Sequence, residues 1–142
     1  MDTSLTAKAR VEIKAPPSRV WDALTDPKMI KQYLFGTDTF TTWKVGDPIV
    51  FKGEWEGKQY EDRGTIMALE KEKELRYTYW SSFSGLPDSI ENYANITCVL
   101  THKDDKTMLT VTQDHCSSEE QRDHSEQNWH SVLNTMKDLL ER

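Results

Sequence analysis

Val11-Glu12-Ile13-Lys14-Ala15-Pro16-Pro17-Ser18-Arg19-Val20-Trp21-Asp22-Ala23-Leu24-Thr25-Asp26-Pro27 changes its hydrophobic rhythm twice. Its first residues continue an alternation that begins at Leu5. Leu5, Ala7, Ala9, Val11 and Ile13 lie on one side, with Thr6, Lys8, Arg10, Glu12 and Lys14 on the other. Period two over Leu5 to Lys14 predicts a half-buried strand, and Pro16 and Pro17 end it. Pro17 and Ser18 then open a short helix carrying Val20, Trp21 and Leu24 toward a core, which Thr25-Asp26-Pro27 breaks. Asp26 suits an N-cap and Pro27 the first helical position, so a second helix is expected to about Leu34.

Downstream, Thr37 to Asp114 reads as successive strands with short connections. A turn at Glu56-Gly57-Lys58-Gln59 is expected to pair Trp55 with Tyr60, Gly53 with Asp62, Phe51 with Gly64 and Ile49 with Ile66. Those residues share a largely apolar face; Lys52, Glu54, Glu56, Glu61 and Arg63 share the solvated one. Lys71-Glu72-Lys73 turns into a strand with Leu75, Tyr77 and Tyr79 on one side, and Ser81 to Ser89 is a loop. A two-residue turn at Asp104-Asp105 sets Leu100 against Leu109, Cys98 against Val111 and Ile96 against Gln113. There the apolar face agrees with the turn length. Cys98 then points inward, while Cys116 lies past the strand end with opposite parity, which speaks against a disulfide.

Ser117 and Glu120 form a capping box for a helix running to about Glu141. Trp129, Val132, Leu133, Met136, Leu139 and Leu140 make one apolar stripe. Gln121, Arg122, Ser125 and Asn128 fall where that stripe would continue, so this end borders solvent or a polar cavity. The order is strand, two short helices, about six further strands and a long amphipathic helix. An antiparallel sheet needs its apolar face covered, and the last helix is the one element large enough. A curved sheet around one helix encloses space it does not fill, a candidate ligand cavity.

The 142 residues show no repeat, linker or low-complexity tract, so residues 1–142 are read as one α+β domain. Hydrophobic residues at 36% and charged residues at 30% fit a folded chain rather than a disordered one. A formal net charge of −6 opposes nucleic-acid binding, which needs a basic face. No apolar run has signal-peptide or membrane-spanning length, so a cytoplasmic location without membrane insertion is expected.

The opening stretch from Val11 to Pro27 resembles that of the START-like, helix-grip superfamily. More narrowly, the chain is similar to the branch named after a homologue of the heat-shock chaperone ATPase activator. Trp43-Lys44-Val45-Gly46-Asp47, Gly64-Thr65-Ile66 with Glu70, and Leu75-Arg76-Tyr77-Thr78-Tyr79-Trp80 extend the likeness. So do Asn128-Trp129 through Leu133, Met136-Lys137 and Leu140-Glu141; where the branch often has Gly before the late Trp, this chain has Asn128. The resemblance runs from about Leu5 to Glu141 and implies a helix-grip fold of six or seven strands. It does not imply one activity, since lipid carriers, hormone receptors, aromatic polyketide cyclases and chaperone co-factors share the fold.

Phe51, Trp55, Tyr60, Tyr77, Tyr79 and Trp129 are candidates to line a pocket, and equally to be core. Asp62 takes the inward face, where a desolvated carboxylate would serve as acid or base; at an open strand end it would instead stay wetted. Gln113 and His115 also take inward parity, and would orient a ligand's polar group or bond locally. Asp114, His115, Cys116, Asp123, His124 and His130 match no metal-ligand spacing, so no metal or cofactor is expected. A buried Cys98 would be inert, and no catalytic motif is recognisable.

Three functions follow. The first is binding of a hydrophobic small molecule or lipid-like ligand. The second is a cyclase or dehydratase using the same cavity. The third, which the resemblance implies, is modulation of a chaperone or other protein in the stress response. In the namesake this domain acts with a second one that these residues do not carry.

Overall fold

The computed structural model describes residues 5–82, 85–116 and 118–141. In order they form β1 (Leu5–Ile13), α1 (Pro17–Thr25), α2 (Pro27–Tyr33), β2 (Asp38–Phe40), β3 (Pro48–Trp55), β4 (Lys58–Glu70) and β5 (Glu74–Tyr79). A 3-10 turn (Ile90–Asn92), β6 (Ala94–Lys103), β7 (Lys106–Cys116) and α3 (Glu119–Leu140) follow. The seven strands make one antiparallel sheet in the order β1-β7-β6-β5-β4-β3-β2, and α3 fills the hollow of its curve. This is the helix-grip fold.

The opening folds for the reasons its residues suggest. Asp26 accepts the Lys28 amide at 3.0 Å, Pro27 occupies the first turn, and Tyr33 Oη donates to Ala23 O at 3.0 Å, tying α2 to α1. The β6–β7 hairpin has the expected register, with Lys103 opposite Lys106 and Cys98 opposite Val111. The β3–β4 hairpin is two residues tighter than expected. Glu56 and Gly57, at φ 50° and 81°, make a two-residue turn, so Trp55 pairs with Lys58, Gly53 with Tyr60, Phe51 with Asp62 and Ile49 with Gly64. Two consecutive left-handed residues match the twist of the flanking strands better than the four-residue turn expected. A slip of two preserves side-chain parity, so the inward face keeps its members.

Gly64 lets β4 approach β5 closely. A Cβ there would lie 1.6 Å from Thr78 O on β5, so only hydrogen can face that carbonyl. At the end of β7, His115 takes φ 59° and the β1–β7 register jumps from Ala7–Gln113 to Leu5–Cys116. This bulge turns Cys116 inward as the last strand residue rather than leaving it past the end. Both Cys98 and Cys116 are buried and free.

Helix α3 is capped by Ser118, whose side chain accepts the Gln121 amide at 3.1 Å; the expected cap, Ser117, lies outside the described residues. Glu119 and Glu120 in its first turn favour the positive helix end. Val132, Leu133, Met136 and Leu140 are buried against the sheet. The helix also covers the unpaired edge of β1. Glu126 accepts the Lys8 amide at 3.0 Å, Glu141 accepts the Lys14 amide at 2.8 Å, and Lys137 donates to Glu12 O at 2.8 Å.

Candidate functional site

The two short helices, the concave face and α3 do not close completely on one another. A cavity of about 40 Å³ remains between them. Its wall comprises fifteen residues, none of them charged. Leu24, Ile30 and Tyr33 form one side, Phe51, Tyr77 and Cys98 the sheet floor, and Trp129, Leu133 and Met136 the roof. Trp43 and Leu34 complete it at the segment joining α2 to β3. That segment holds two aromatic residues at left-handed φ, Phe35 at 55° and Trp43 at 56°, a backbone state bulky side chains seldom adopt. Burial, with nearby Cys98, pushes the phenols of Tyr33 and Tyr77 well above their ordinary value, and burial pushes the Cys98 thiol up to about 12.

Of the residues singled out in the sequence, Phe51, Tyr77 and Trp129 meet at this cavity. Phe51 packs its ring against Tyr77 at 5.7 Å and Tyr79 at 5.8 Å. Gln113 stands behind Trp129, whose indole donates to Gln113 Oε1 at 2.9 Å. Tyr79 and Asp62 pair with each other: the phenol donates to Asp62 Oδ2 at 2.5 Å, and Ser82 donates its amide at 2.8 Å and its hydroxyl at 3.1 Å to Oδ1. Asp62 is therefore buried, at 6% exposure, rather than wetted, and both its oxygens are engaged. Burial first and the Asp62 charge second push the Tyr79 phenol well above its usual range. Tyr60 lies across Gly53 and bonds Thr37 Oγ1 at 2.5 Å.

Two residues stand elsewhere. Trp55, 57% exposed, sits at the tip of the β3–β4 hairpin. His115 does not face inward: the left-handed step at the bulge turns its ring to solvent, where it bonds Asp114 at 2.7 Å. Asp62, His115 and a cavity tyrosine thus do not converge on one point. Among the described residues no three His, Cys, Asp or Glu side chains gather as a metal site would. Sequence reasoning left the α1–α2 side of the wall without a role. Its signal was present in Ile30, Tyr33 and Leu34, spaced three and four apart on one face of a helix.

A family model described as activator of Hsp90 ATPase homolog 1-like protein matches residues 14–141. The chain belongs to this family. Among solved structures, one from Cytophaga hutchinsonii is 42% identical, with a TM-score of 0.87 over 99% of this chain and 97% of that one. The Aha1 dimer from Colwellia psychrerythraea shares 21% identity, with a TM-score of 0.76 over 96% of each chain. DynU16, described as a putative protein of the dynemicin biosynthetic locus, shares 18% identity at a TM-score of 0.80, over 99% of this chain and 48% of its own. The last two likenesses establish the shared fold. No curated protein matches. Among the described residues no helix is long and apolar enough to cross a membrane.

Proposed function

We propose that this domain binds a small apolar molecule between its sheet and α3. The observation that carries the reading is the wall itself: fifteen side chains from helices and sheet, without one charge, around space the core leaves unfilled. Close packing is the rule in protein interiors, and an apolar void stays dry unless an apolar guest enters. The 40 Å³ present is far smaller than drug-sized sites, which run to roughly 300–1,000 Å³. A guest of more than a few atoms, a lipid-like one above all, requires the wall to move. Met136, an unbranched thioether, and the left-handed Trp43 segment are the parts suited to do so.

Native and denaturing mass spectra of the purified protein test this. A reproducible adduct that vanishes on denaturation supports binding, and its mass gives the ligand class. Protein that stays empty after exposure to a library of apolar compounds refutes it.

A protein partner is the second reading, favoured by Trp55 standing 57% exposed at the hairpin tip. It predicts that this domain, at high molar excess, stimulates the ATPase of a heat-shock chaperone and that Trp55→Ala abolishes the effect. No stimulation by the wild type removes it.

A further inference from the structure

We propose that the cavity's occupant is an electrically neutral molecule whose apolar frame carries one hydrogen-bonding oxygen, and that the Tyr77 hydroxyl is the group that holds it. This rests on the cavity being a binding site, as proposed above.

The chain has five tyrosines, and four of their hydroxyls are taken. Tyr33 donates to Ala23 O, Tyr60 bonds Thr37, Tyr79 donates to Asp62 and Tyr93 donates to Asp88. Among the described residues the Tyr77 hydroxyl bonds none, although Tyr77 is only 9% exposed. Buried phenols normally find a partner, because a hydroxyl stripped of water and left unpaired costs stability. Nor is this oxygen sealed against protein. Thr39 Oγ1 is the one fully enclosed side-chain oxygen or nitrogen without a partner among the described residues, so the Tyr77 oxygen keeps free space beside it. Tyr77 points inward from β5 opposite Ile96, with its ring on Phe51, and it lines the cavity. The free space is the cavity.

The surroundings define what can fill it. A charged ligand would lose its hydration and meet no counter-charge in the wall, which excludes carboxylates, phosphates and ammonium groups. Burial holds the Tyr77 phenol protonated at physiological pH, so it can both donate to and accept from an oxygen. The other polar wall groups leave little for a second oxygen. Trp129 is bonded to Gln113, Tyr33 to Ala23, and the protonated Cys98 thiol is a weak donor. One strong hydrogen-bonding group in an apolar wall fits an alcohol, phenol, ketone or ether on a hydrocarbon frame.

Toluene, phenol and benzoate test the proposal, since they share a ring and differ in one group: methyl, hydroxyl or carboxylate. Each is titrated into the full chain and into Tyr77→Phe, with amide and methyl shifts of Leu133, Met136 and Val111 reporting occupancy. The expected result is that the phenol-to-toluene ratio of dissociation constants rises roughly three- to tenfold in Tyr77→Phe, the span one neutral hydrogen bond supplies. Toluene affinity changes less than twofold, and benzoate does not bind. In the wild type, the Tyr77 ring-carbon resonance next to the hydroxyl moves with phenol and not with toluene, a readout that does not depend on the variant. An unchanged ratio, meaning that water alone partners the hydroxyl, overturns the proposal while leaving the cavity a binding site. Benzoate binding as tightly as phenol overturns the claim of neutrality. If none of the three probes shifts the cavity resonances, the binding reading itself falls, and this inference with it.

Discussion

Thr39 sits on the inward side of β2, 5% exposed, with a hydroxyl enclosed by protein and bonded to nothing among the described residues. Thr37, two residues earlier on the same face, has a partner in Tyr60. Because the Thr39 oxygen has lost water without replacement, Thr39→Val removes a cost and keeps the shape. We expect it to raise stability by about 1 kcal/mol, read as a shifted denaturation midpoint at unchanged slope. Gly64 is the opposite case. Gly64→Ala drives a methyl group into the Thr78 backbone carbonyl and should cost about 3 kcal/mol, visible as a loss of Tm. At this scale the sequence was legible where parity alone decides. Phe51, Asp62 and Tyr77 face inward as alternation requires. His115 does not, because a single left-handed residue reverses alternation and nothing in the local composition announces it. Partnering was less legible still: Asp62 meets Tyr79 and Ser82 only through the pairing of β4 with β5 and its loop, 17 and 20 positions away.

The bulge that ends β7 is also an electrostatic element. Asp114 accepts the Asn95 amide at 2.6 Å, Asn95 Nδ2 at 2.9 Å and His115 Nδ1 at 2.7 Å. Partial burial works to raise its pKa, but these hydrogen bonds outweigh it and hold the carboxyl below its ordinary value. A folded pKa below the unfolded one, about 3.9, stabilises the protein above that pH, and the contribution is lost as pH falls through the folded value. Asp114→Asn should therefore melt below the wild type at pH 7, and the gap should close toward pH 3 in a thermal-melt series. The turn elements differed in legibility. Asp104-Asp105 was readable because the apolar positions on both sides agree with a single register. The β3–β4 turn was misread because Gln59 and Lys58 look like loop residues, yet a two-residue slip leaves the inward face unchanged and so escapes any test by burial pattern. At the sheet edge, Glu126 and Glu141 occupy the amides of Lys8 in β1 and of Lys14 just past its end. Replacing both with alanine should speed exchange of the Lys8 and Lys14 amides about tenfold or more and promote concentration-dependent association in light scattering, since an uncovered edge recruits other strands.

Across the whole molecule, one helix plugs one bent sheet, and its fit decides both stability and room. Leu133→Ala should cost roughly 3 kcal/mol through lost contact and enlarged void. If the void is the binding site, the same change should tighten toluene binding even as it lowers the denaturation midpoint, a pairing that simple misfolding would not produce. The architecture was legible because period-two strands, a capped pair of short helices and one long apolar stripe admit few arrangements. The size of the cavity was not, since it is the small remainder after fifteen side chains from seven elements and the connecting segment pack together. The sheet order has a further bearing, on biosynthesis. Strand β1 takes its one neighbour from β7, and Lys14 meets Glu141 across 127 positions. On the ribosome β1 therefore emerges long before the strand that pairs with it and the helix that covers it. Until α3 clears the exit tunnel, the alternating Ala7, Ala9, Val11 and Ile13 of β1 are an open strand in search of a partner, so chaperone contact with the nascent chain should concentrate there and fall away once α3 has emerged.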